Sequence, residues 1–306
     1  MNIVISGATG FLGRPLSAAL AASGHHVTAL SRATSNATTA GAWSNTIAWT
    51  PDGSANGSWA AVVDGADVVI NLAGESIAGR RWTAARKRQI LDSRVLATRS
   101  LTEAVTRSAK PPAVFVSGSA VGFYGPLQDQ IVTEDTPAGR DFLSGVCVRW
   151  EDEARRLEGG RTRVVCVRTG IVLERDGGAL PQMLPPFWFG AGGPVGSGRQ
   201  YWPWIHRDDW IGLLQFVIDT PAATGPVNAT APNPVTNRDF ARALGRALHR
   251  PAFMPAPGFA LKLLLGEMAD ALLLSGQRAV PAKAQRLGYT FRYKTVDDAL
   301  RAIFKH

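Results

Sequence analysis

The chain has 306 residues, of which 45% are hydrophobic and 19% are charged, and its formal net charge is +9. This composition excludes a disordered chain, and the length suffices for one large domain or for a large domain with a smaller partner. No segment is apolar enough to span a membrane, since the best candidate, 258–276, carries three charged residues and is typical of an amphipathic helix. The sequence begins in a strand-like run without a signal peptide, and Cys147 and Cys166 match no zinc or CxxC spacing. We therefore expect a reduced, cytoplasmic protein without a metal site and without a membrane partner.

The positive charge is concentrated between residues 80 and 110, where nine basic and two acidic residues give a net charge of +7. The basic residues are Arg80, Arg81, Arg86, Lys87, Arg88, Arg94, Arg99, Arg107 and Lys110. A basic helix face can meet nucleic acid or an anionic cofactor, but a solvated helix face has the same pattern. Because no aromatic-interleaved basic stripe or nucleic-acid motif accompanies it, we favour the solvated face and expect no nucleic-acid partner.

Six short apolar runs alternate with helical segments along the first 170 residues. The predicted strands are 2–6, 25–30, 46–49, 66–74, 113–119 and 162–170, and the clearest helical stretches are 82–109 and 141–158. Apolar strands separated by helices predict a parallel sheet covered on both faces, so the fold class is α/β with a Rossmann-like doubly wound sheet. We predict a nucleotide-binding domain over 1–170, to which part of 205–230 returns, and a smaller C-terminal substrate domain formed by 171–204 and 231–306.

A glycine-rich turn, GATGFLG, joins the first predicted strand to its helix and carries three glycines in a GxxGxxG spacing. Glycine permits the tight turn, the approach of the backbone to a pyrophosphate and the close packing of the helix on the sheet. The helix N-terminus then offers free N–H groups to the phosphates. A strand before and a helix after favour a dinucleotide-binding loop over a structural turn. Its predicted cofactor-binding residues are Gly7, Thr9, Gly10, Phe11, Leu12 and Gly13.

The end of the second predicted strand distinguishes between the two nicotinamide cofactors. An acidic residue there would bind the ribose 2′-hydroxyl of NAD, but the sequence has Ser31 followed by Arg32. An arginine 19 positions after Gly13 suits a 2′-phosphate, and the serine hydroxyl can donate a further hydrogen bond. A surface arginine in a loop is the alternative, and we favour NADP over NAD as the cofactor.

Four segments occur in the order GATGFLG, DVVINLAGESI, WTAARKRQILDSRVLATRSL and SGSAVGFYG, followed by GGPVGSGRQYWPWIHRDD and LLLSGQRAVPAKAQRLGYTFRY. Together they resemble the extended short-chain dehydrogenase/reductases, and most closely an atypical epimerase-like branch (NAD-dependent epimerase/dehydratase type) that ends in a small domain of unknown function. The resemblance implies NADP binding at the carboxyl edge of the sheet, with the substrate between two domains. It also implies that Leu72, Ala73, Gly74 and Arg94 lie along the cofactor, and that the helix 82–109 pairs two copies into a homodimer.

The same resemblance implies a catalytic serine together with a tyrosine and a lysine in a YxxxK helix. Ser119 matches the serine, which orients a substrate oxygen. The helix that should carry the pair, 141–154, contains neither tyrosine nor lysine, and none of the four tyrosines of the chain has a lysine four positions on. With Glu151 as the anchor of this helix, Leu143 and Cys147 take the places of the tyrosine and the lysine. The usual proton relay is absent from the sequence.

Tyr124 follows Ser119 by five residues and is the candidate for a replacement acid. A tyrosine with an ordinary pKa of about 10 is a poor base at neutral pH, but it can donate a proton to an alkoxide after hydride transfer. The sequence leaves two interpretations open. Either Ser119 and Tyr124 are catalytic, or Tyr124 packs under the loop and Ser119 caps a turn.

The segment 185–210 combines glycine-rich turns with several tryptophans. These are Trp188, Trp202, Trp204 and Trp210. Flat apolar walls suit a carbohydrate-like or aromatic small-molecule substrate, whereas a hydrophobic plug between domains has the same composition. Arg199 is the candidate for contact with an anionic group of the substrate. His206 and Asp209 are three positions apart, but no third ligand is near in sequence, so structural hydrogen bonds are favoured over a metal site.

Three functions are compatible with these observations. The first is an NADP(H)-dependent oxidoreductase, which the retained Ser119 and the tryptophan-rich segment favour. The second is a non-catalytic NADPH-binding sensor or scaffold protein, which the missing YxxxK pair favours. The third is a nucleotide-sugar epimerase, which the missing pair disfavours.

Overall fold

The computed structural model describes residues 1–32 and 43–305 of the chain. Within these ranges strands form from short runs rich in β-branched and other apolar residues, which pack well on a pleated surface. The strands are β1 Asn2–Ser6, β2 His26–Ser31, β3 Asn45–Ala48, β4 Val68–Asn71, β5 Val114–Ala120, β6 Ile131–Val132, β7 Arg163–Thr169, β8 Ile171–Leu173, β9 Tyr201–Trp202, β10 Trp204–His206, β11 Gly225–Ala229, β12 Val235–Thr236 and β13 Arg278–Ala279.

Seven of these strands form one sheet in the order β3-β2-β1-β4-β5-β7-β11, and every neighbouring pair is parallel. All four residues of β4 are buried, and β5 is buried from Val114 to Ser119. Continuous burial of this kind requires cover on both faces of the sheet. The prediction of a Rossmann-like doubly wound sheet is confirmed.

The helices supply that cover. They are α1 Gly13–Ala22, α2 Ala84–Arg107, α3 Phe142–Arg155, α4 Leu180–Trp188, α5 Arg207–Asp219, α6 Asn237–Leu248, α7 Gly258–Leu265, α8 Glu267–Ala269, α9 Ala282–Arg286 and α10 Val296–Phe304. One face of the sheet packs on α1 and α5 through Leu16, Leu20 and Leu213. The other face packs on α2 and α3 through Leu101 and Ala154.

The strand order places a crevice at the carboxyl edge of the sheet. From β1 the chain continues to β2 and β3 on one side, and it then crosses back to β4 on the other side of β1. The connections that follow β1 and β4 therefore leave in opposite directions. Sheets of this type bind ligands in the crevice that opens at such a switch point.

The chain beyond β7 builds a second apolar cluster beside the sheet. Helices α4, α6 and α10 contribute Leu184, Phe240 and Leu300, and the buried rings of Trp202 and Trp204 pack among them. Strand β11 leaves this part of the chain and pairs with β7 in the main sheet. The boundaries of the two proposed domains stay a prediction.

The prediction of one continuous helix over 258–276 is wrong. Helix α7 ends at Leu265, because Gly266 adopts φ +64°, which a right-handed helix does not contain. The three-residue helix α8 and a π-helix, Asp270–Leu274, complete the segment. Among the described residues, none of the helices has both the length and the apolar character needed to cross a membrane.

Candidate cofactor and active site

The turn between β1 and α1 is built from glycines that the surrounding backbone requires. Gly7 has φ +74°, and a side chain on it would lie 2.7 Å from the backbone of Leu72. A side chain on Gly13 would collide with the carbonyl of Gly7, so α1 packs directly on the turn. Thr9 and Gly10 are exposed at its tip. From the described residues α1 has no side-chain cap, and its first turn carries no acidic residue. The N–H of Arg14 already donates to the carbonyl of Gly10 and Pro15 has no N–H, so the N–H of Gly13 and the positive end of the helix dipole are left to meet an anion.

Phe11 extends from the same turn to the second part of the chain. Its ring fills the space that side chains on Gly177 and Gly178 would occupy, and the guanidinium of Arg207 lies 5.7 Å from its centroid. Its neighbour Leu12 packs against the core of the sheet. The turn and the second part of the chain are therefore in direct contact at the edge of the crevice.

Arg32 lies immediately after β2 and is paired with an acidic residue that follows β4. Its Nη1 lies 3.3 Å from Oε1 of Glu75, whose other oxygen lies 3.4 Å from Nη1 of Arg86. The side chain of Arg32 is 73% exposed, and an exposed ion pair of this kind is worth about 0–1 kcal/mol. Arg32 can therefore exchange Glu75 for a phosphate at little cost. Ser31, the last residue of β2, lies beside it.

A polar network ties the end of β4 to β1 and α2. The side-chain oxygen of Asn71 accepts hydrogen bonds from Ser6 Oγ at 2.6 Å and from the N–H of Ala73 at 3.2 Å. Its amide nitrogen donates to Oγ1 of Thr98 on α2 at 2.8 Å. These bonds hold the segment 72–74 at the edge of the crevice. The resemblance places this segment along the cofactor.

Arg94 of α2 lies against this segment. A side chain on Gly74 would meet the Arg94 guanidinium and stem at 3.2–3.4 Å. Nη1 of Arg94 donates to the carbonyl of Ile90 at 3.0 Å, and the guanidinium lies 5.2 Å from the ring centroid of Trp150 on α3. Burial lowers the pKa of Arg94, yet an arginine stays protonated at neutral pH. The site thus contains a partly buried cation that is fixed by packing.

Ser119 lies near the end of β5 and is hydrogen-bonded to a buried ion pair. Its Oγ donates to Oε1 of Glu151 at 2.7 Å, and Arg168 binds both carboxylate oxygens of Glu151 at 2.8 Å each. All three side chains are at most 5% exposed. Burial lowers the pKa of Arg168, but the hydrogen bonds and the charge attraction from Glu151 and Tyr124 together outweigh burial and raise the pKa overall. Because the Ser119 hydroxyl donates its proton to the Glu151 carboxylate, its oxygen can only accept a hydrogen bond from another group.

Neither Arg168 nor the acceptor role of Glu151 follows from the spacing of motifs in the sequence. The sequence carries one signal, because β7 reads RVVCVRT and places Arg168 after four consecutive apolar residues, within the strand. A buried cation requires a carboxylate or another acceptor close by. Which of the chain's carboxylates binds it depends on how α3 packs on β7, and this is a tertiary property.

Tyr124 is in the core and faces away from solvent. It ends the 3₁₀ turn Val121–Tyr124 and is 1% exposed. Its hydroxyl donates to Oδ1 of Asn228 at 2.6 Å and accepts from Nη1 of Arg168 at 3.0 Å. Burial raises the pKa of Tyr124 to about 12, against the opposing effect of Arg168. This geometry matches the interpretation in which Tyr124 packs under the loop, and it argues against Tyr124 as a proton donor to a substrate.

Helix α3 carries the two residues that take the places of the tyrosine and the lysine. Both lie near the turn after β5, since a side chain on Gly122 would meet Leu143 at 3.4 Å and the Cys147 sulfur at 3.9 Å. Cys147 is 4% exposed, and burial raises the pKa of its thiol to about 12, so the thiol is neutral at neutral pH. These positions of α3 therefore hold two uncharged side chains that cannot relay a proton.

The tryptophans of the glycine-rich segment divide into two groups. Trp202, Trp204 and Trp210 are at most 4% exposed and belong to the core, which matches the hydrophobic-plug alternative. Trp188, at the end of α4, is 55% exposed. Arg199 is exposed at the surface, where its contact with a substrate stays a prediction.

His206 and Asp209 make the structural hydrogen bonds that the sequence favoured. Nδ1 of His206 accepts from the N–H of Asp208 at 3.0 Å and so caps α5. The carboxylate of Asp209 accepts from the backbone N–H groups of Arg292 at 2.7 Å and Tyr293 at 2.8 Å. These bonds join α5 to the C-terminal segment, so both side chains have a role in the fold.

Two family descriptions match the chain. Residues 3–146 match the NAD dependent epimerase/dehydratase family, and residues 256–303 match a domain of unknown function, DUF1731. The epimerase family protein SDR39U1 homolog, chloroplastic, of Arabidopsis thaliana is 40% identical over 100% of this chain and 87% of its own length. The epimerase family protein Mb2239 of Mycobacterium bovis is 42% identical over 97% of this chain and 96% of its own.

Solved structures agree with these sequence relationships. The crystal structure of human epimerase family protein SDR39U1 with NADPH has a TM-score of 0.90 at 37% identity and covers 100% of this chain and 99% of its own. The nucleoside-diphosphate sugar epimerase from Corynebacterium glutamicum has a TM-score of 0.80 at 33% identity and covers 99% of this chain and 58% of its own. The chain therefore belongs to the NAD dependent epimerase/dehydratase family, as an atypical extended short-chain dehydrogenase/reductase with a C-terminal domain of unknown function.

Proposed function

We propose that the protein is an NADP(H)-dependent oxidoreductase that acts on a small molecule. The observation that carries the proposal is the meeting, at one crevice, of the glycine turn, the N-terminus of α1 and the exposed guanidinium of Arg32. The human relative, which is 37% identical, was crystallised with NADPH, and this supports the same cofactor here.

The residues of the crevice fit the parts of NADP(H). The N–H of Gly13 and the positive end of the α1 dipole suit the pyrophosphate, and the guanidinium of Arg32 suits the 2′-phosphate. The backbone at 72–74 ends in Gly74, which presents no side chain to a ligand. When bound, the cofactor supplies the hydride, and the protein supplies binding and orientation.

Ser119 is the proposed contact for the reacting oxygen of the substrate. Its proton lies toward Glu151, and Arg168 holds that carboxylate in place. The serine oxygen therefore acts as an acceptor and suits a substrate hydroxyl, which can donate to it. Glu151 and Arg168 act through Ser119 as positioning residues. A carbohydrate-like or aromatic alcohol, with its carbonyl counterpart, is the proposed substrate class.

A second function is favoured by a specific observation. Leu143 and Cys147 occupy the places of the proton relay, and Tyr124 is withdrawn into the core. A non-catalytic NADPH-binding sensor or scaffold needs the nucleotide site and no relay. A nucleotide-sugar epimerase is a weaker alternative, because it must both remove and return a proton.

Calorimetric titration with NADPH and with NADH tests the cofactor site. A charge-assisted bond to the 2′-phosphate is worth about 1.5–3 kcal/mol, or roughly ten- to a hundredfold in affinity. Arg32→Ala should erase this difference, whereas Arg301→Ala, which removes an exposed arginine of α10, should preserve it. If the unmodified protein binds neither nucleotide, the proposed function is refuted.

Reduction of NADP⁺ separates the two leading functions. An oxidoreductase should reduce NADP⁺ with some members of a panel of carbohydrate-like and aromatic alcohols, whose hydroxyl can donate to Ser119, and Ser119→Ala should lower the rate. A sensor or scaffold should bind the nucleotide with the same affinity and should reduce none of it with any of these alcohols.

Two further statements stay predictions. Pairing of two chains through α2 would give a homodimer, which light scattering on the purified protein would detect as twice the mass of the chain. A cytoplasmic location is the other, and fractionation of the source cells would test it.

A further inference from the structure

We propose that Arg94 makes the site selective for the redox state of its cofactor, so that NADPH binds more tightly than NADP⁺. The inference rests on the proposed NADP(H) site and deepens it, since it concerns which form of the cofactor occupies that site. It is carried by the position of the Arg94 guanidinium and by the balance of charges around it.

Arg94 lies on the nicotinamide side of the crevice. The two halves of a dinucleotide lie on opposite sides of the switch point, which here is between β1 and β4. Arg32, at the end of β2, marks the adenosine side. Arg94 comes from α2, beyond β4, and its guanidinium lies over the ring of Trp150. That ring in turn packs against Gly118 of β5.

The guanidinium of Arg94 is held in one place. It donates to the carbonyl of Ile90, rests on the face of Trp150 and fills the space beside Gly74. A charge that is fixed and partly buried is screened by water and salt far less than a charge on an exposed side chain. The positive charge therefore acts on a ligand in this half of the crevice with less screening than the charge of an exposed side chain.

An acidic residue whose charge acts on Arg94 is already paired with two other cations. Glu75 is the carboxylate whose charge reaches Arg94, and it is paired with both Arg32 and Arg86. Three arginines thus surround one carboxylate. The local charge balance at this edge of the crevice is positive.

The groups on the α3 side do not compensate Arg94 either. Glu151 is neutralised by the bidentate contact with Arg168. Cys147, which takes the place of the lysine, has a neutral thiol because burial disfavours the thiolate. The lysine that the resemblance places on α3 is absent. In this proposal, Arg94 of α2 supplies the cation in its place.

The two redox states of the cofactor differ in charge at the nicotinamide ring, which is positive in NADP⁺ and neutral in NADPH. A fixed cation on that side repels the oxidised ring and leaves the reduced ring unaffected. Repulsion between two unit charges in a partly buried site should weaken the binding of NADP⁺ by roughly tenfold relative to NADPH.

Calorimetric titration of the full chain with NADPH and NADP⁺ tests this inference without any turnover. The unmodified protein should bind NADPH roughly tenfold more tightly. Arg94→Met should bring the two dissociation constants together, mainly by tightening NADP⁺, whereas Arg94→Lys should keep the difference. Arg99→Met is the matched control, because it removes a cation of α2 that is paired with Glu153.

The outcomes separate this inference from the proposed function. Equal affinity of the unmodified protein for NADPH and NADP⁺ overturns the inference and leaves the cofactor site intact, and this measurement needs no variant. An equal loss of affinity for both nucleotides in Arg94→Met also overturns it, since the side chain would then bind a phosphate. Failure to bind either nucleotide overturns the proposed function and the inference together.

Discussion

The buried pair of Glu151 and Arg168 holds Ser119 in place, and Glu151→Gln tests that arrangement directly. The amide keeps the size of the side chain but leaves Arg168, which is 2% exposed, without an anionic partner. Removing one partner of a buried ion pair costs about 3–5 kcal/mol. Arg168 keeps a hydrogen bond to Tyr124 at 3.0 Å and a face contact with the ring of Phe123 at 3.4 Å. We therefore expect the lower part of this range, about 3 kcal/mol.

Urea unfolding followed by tryptophan fluorescence measures this loss. A loss of about 3 kcal/mol should move the midpoint to clearly lower urea. The double variant Glu151→Gln, Arg168→Met removes both charges, so it should lose less than the sum of the two single variants by at least about 1 kcal/mol. Arg99→Met is the control, because its pair with Glu153 is partly exposed and should contribute about 0–1 kcal/mol. A midpoint unchanged by Glu151→Gln, or strictly additive losses, would refute the reasoning.

Gly7→Ala should abolish nucleotide binding in calorimetry, because Gly7 has φ +74° and its new side chain would collide with the backbone of Leu72. Gly24→Ala is the control: at φ +81° with no atom near the new side chain, it should lower the stability and leave nucleotide binding unchanged. Replacing Arg32 by alanine should lower NADPH affinity by roughly ten- to a hundredfold and leave NADH affinity unchanged. The Cys147 thiol, whose pKa is raised to about 12 from 9.0, should resist iodoacetamide in the native protein at mildly alkaline pH. The folded state holds the Cys147 proton more tightly than the unfolded state does. The stability that this proton contributes is therefore complete below pH 9.0 and is lost as the pH rises towards 12. A comparison of the urea midpoints of the wild type and Cys147→Ala across this pH range would show the loss. Tyr124→Phe should lower the free energy of unfolding by about 1–3 kcal/mol and leave the affinity for NADPH unchanged. A loss of turnover without a loss of stability would instead support a catalytic role for Tyr124.

The sheet and the nucleotide turn could be predicted because their signals are local. Each central strand is a short apolar run between helical segments, and a strand buried on both faces needs little else. The glycines at 7, 10 and 13 mark the turn by a spacing that is contained within seven residues. Sequence spacing also placed Arg32 at the end of the second strand, where the structure has it.

The interior of the candidate active site could not be predicted, since it depends on how distant elements pack. Ser119 and Tyr124 are five residues apart, yet one hydroxyl meets Glu151 of α3 and the other meets Asn228 of β11. The 3₁₀ turn after β5 sets these different directions, and no periodicity in the sequence announces it. The break of the segment 258–276 at Gly266 has a related cause, because a glycine inside an apolar run is compatible with either a continuous or an interrupted helix.

The contact of Phe11 with Gly177 and Gly178 has a consequence for how this chain tolerates change. The aromatic ring occupies the volume that side chains at the two glycine positions would need, so the three residues share one space although they are far apart along the chain. A larger residue at 177 would displace the ring and, with it, the backbone of the nucleotide turn. Residues 11 and 177 should therefore covary among related sequences, with a bulky side chain at one position accompanied by a small one at the other.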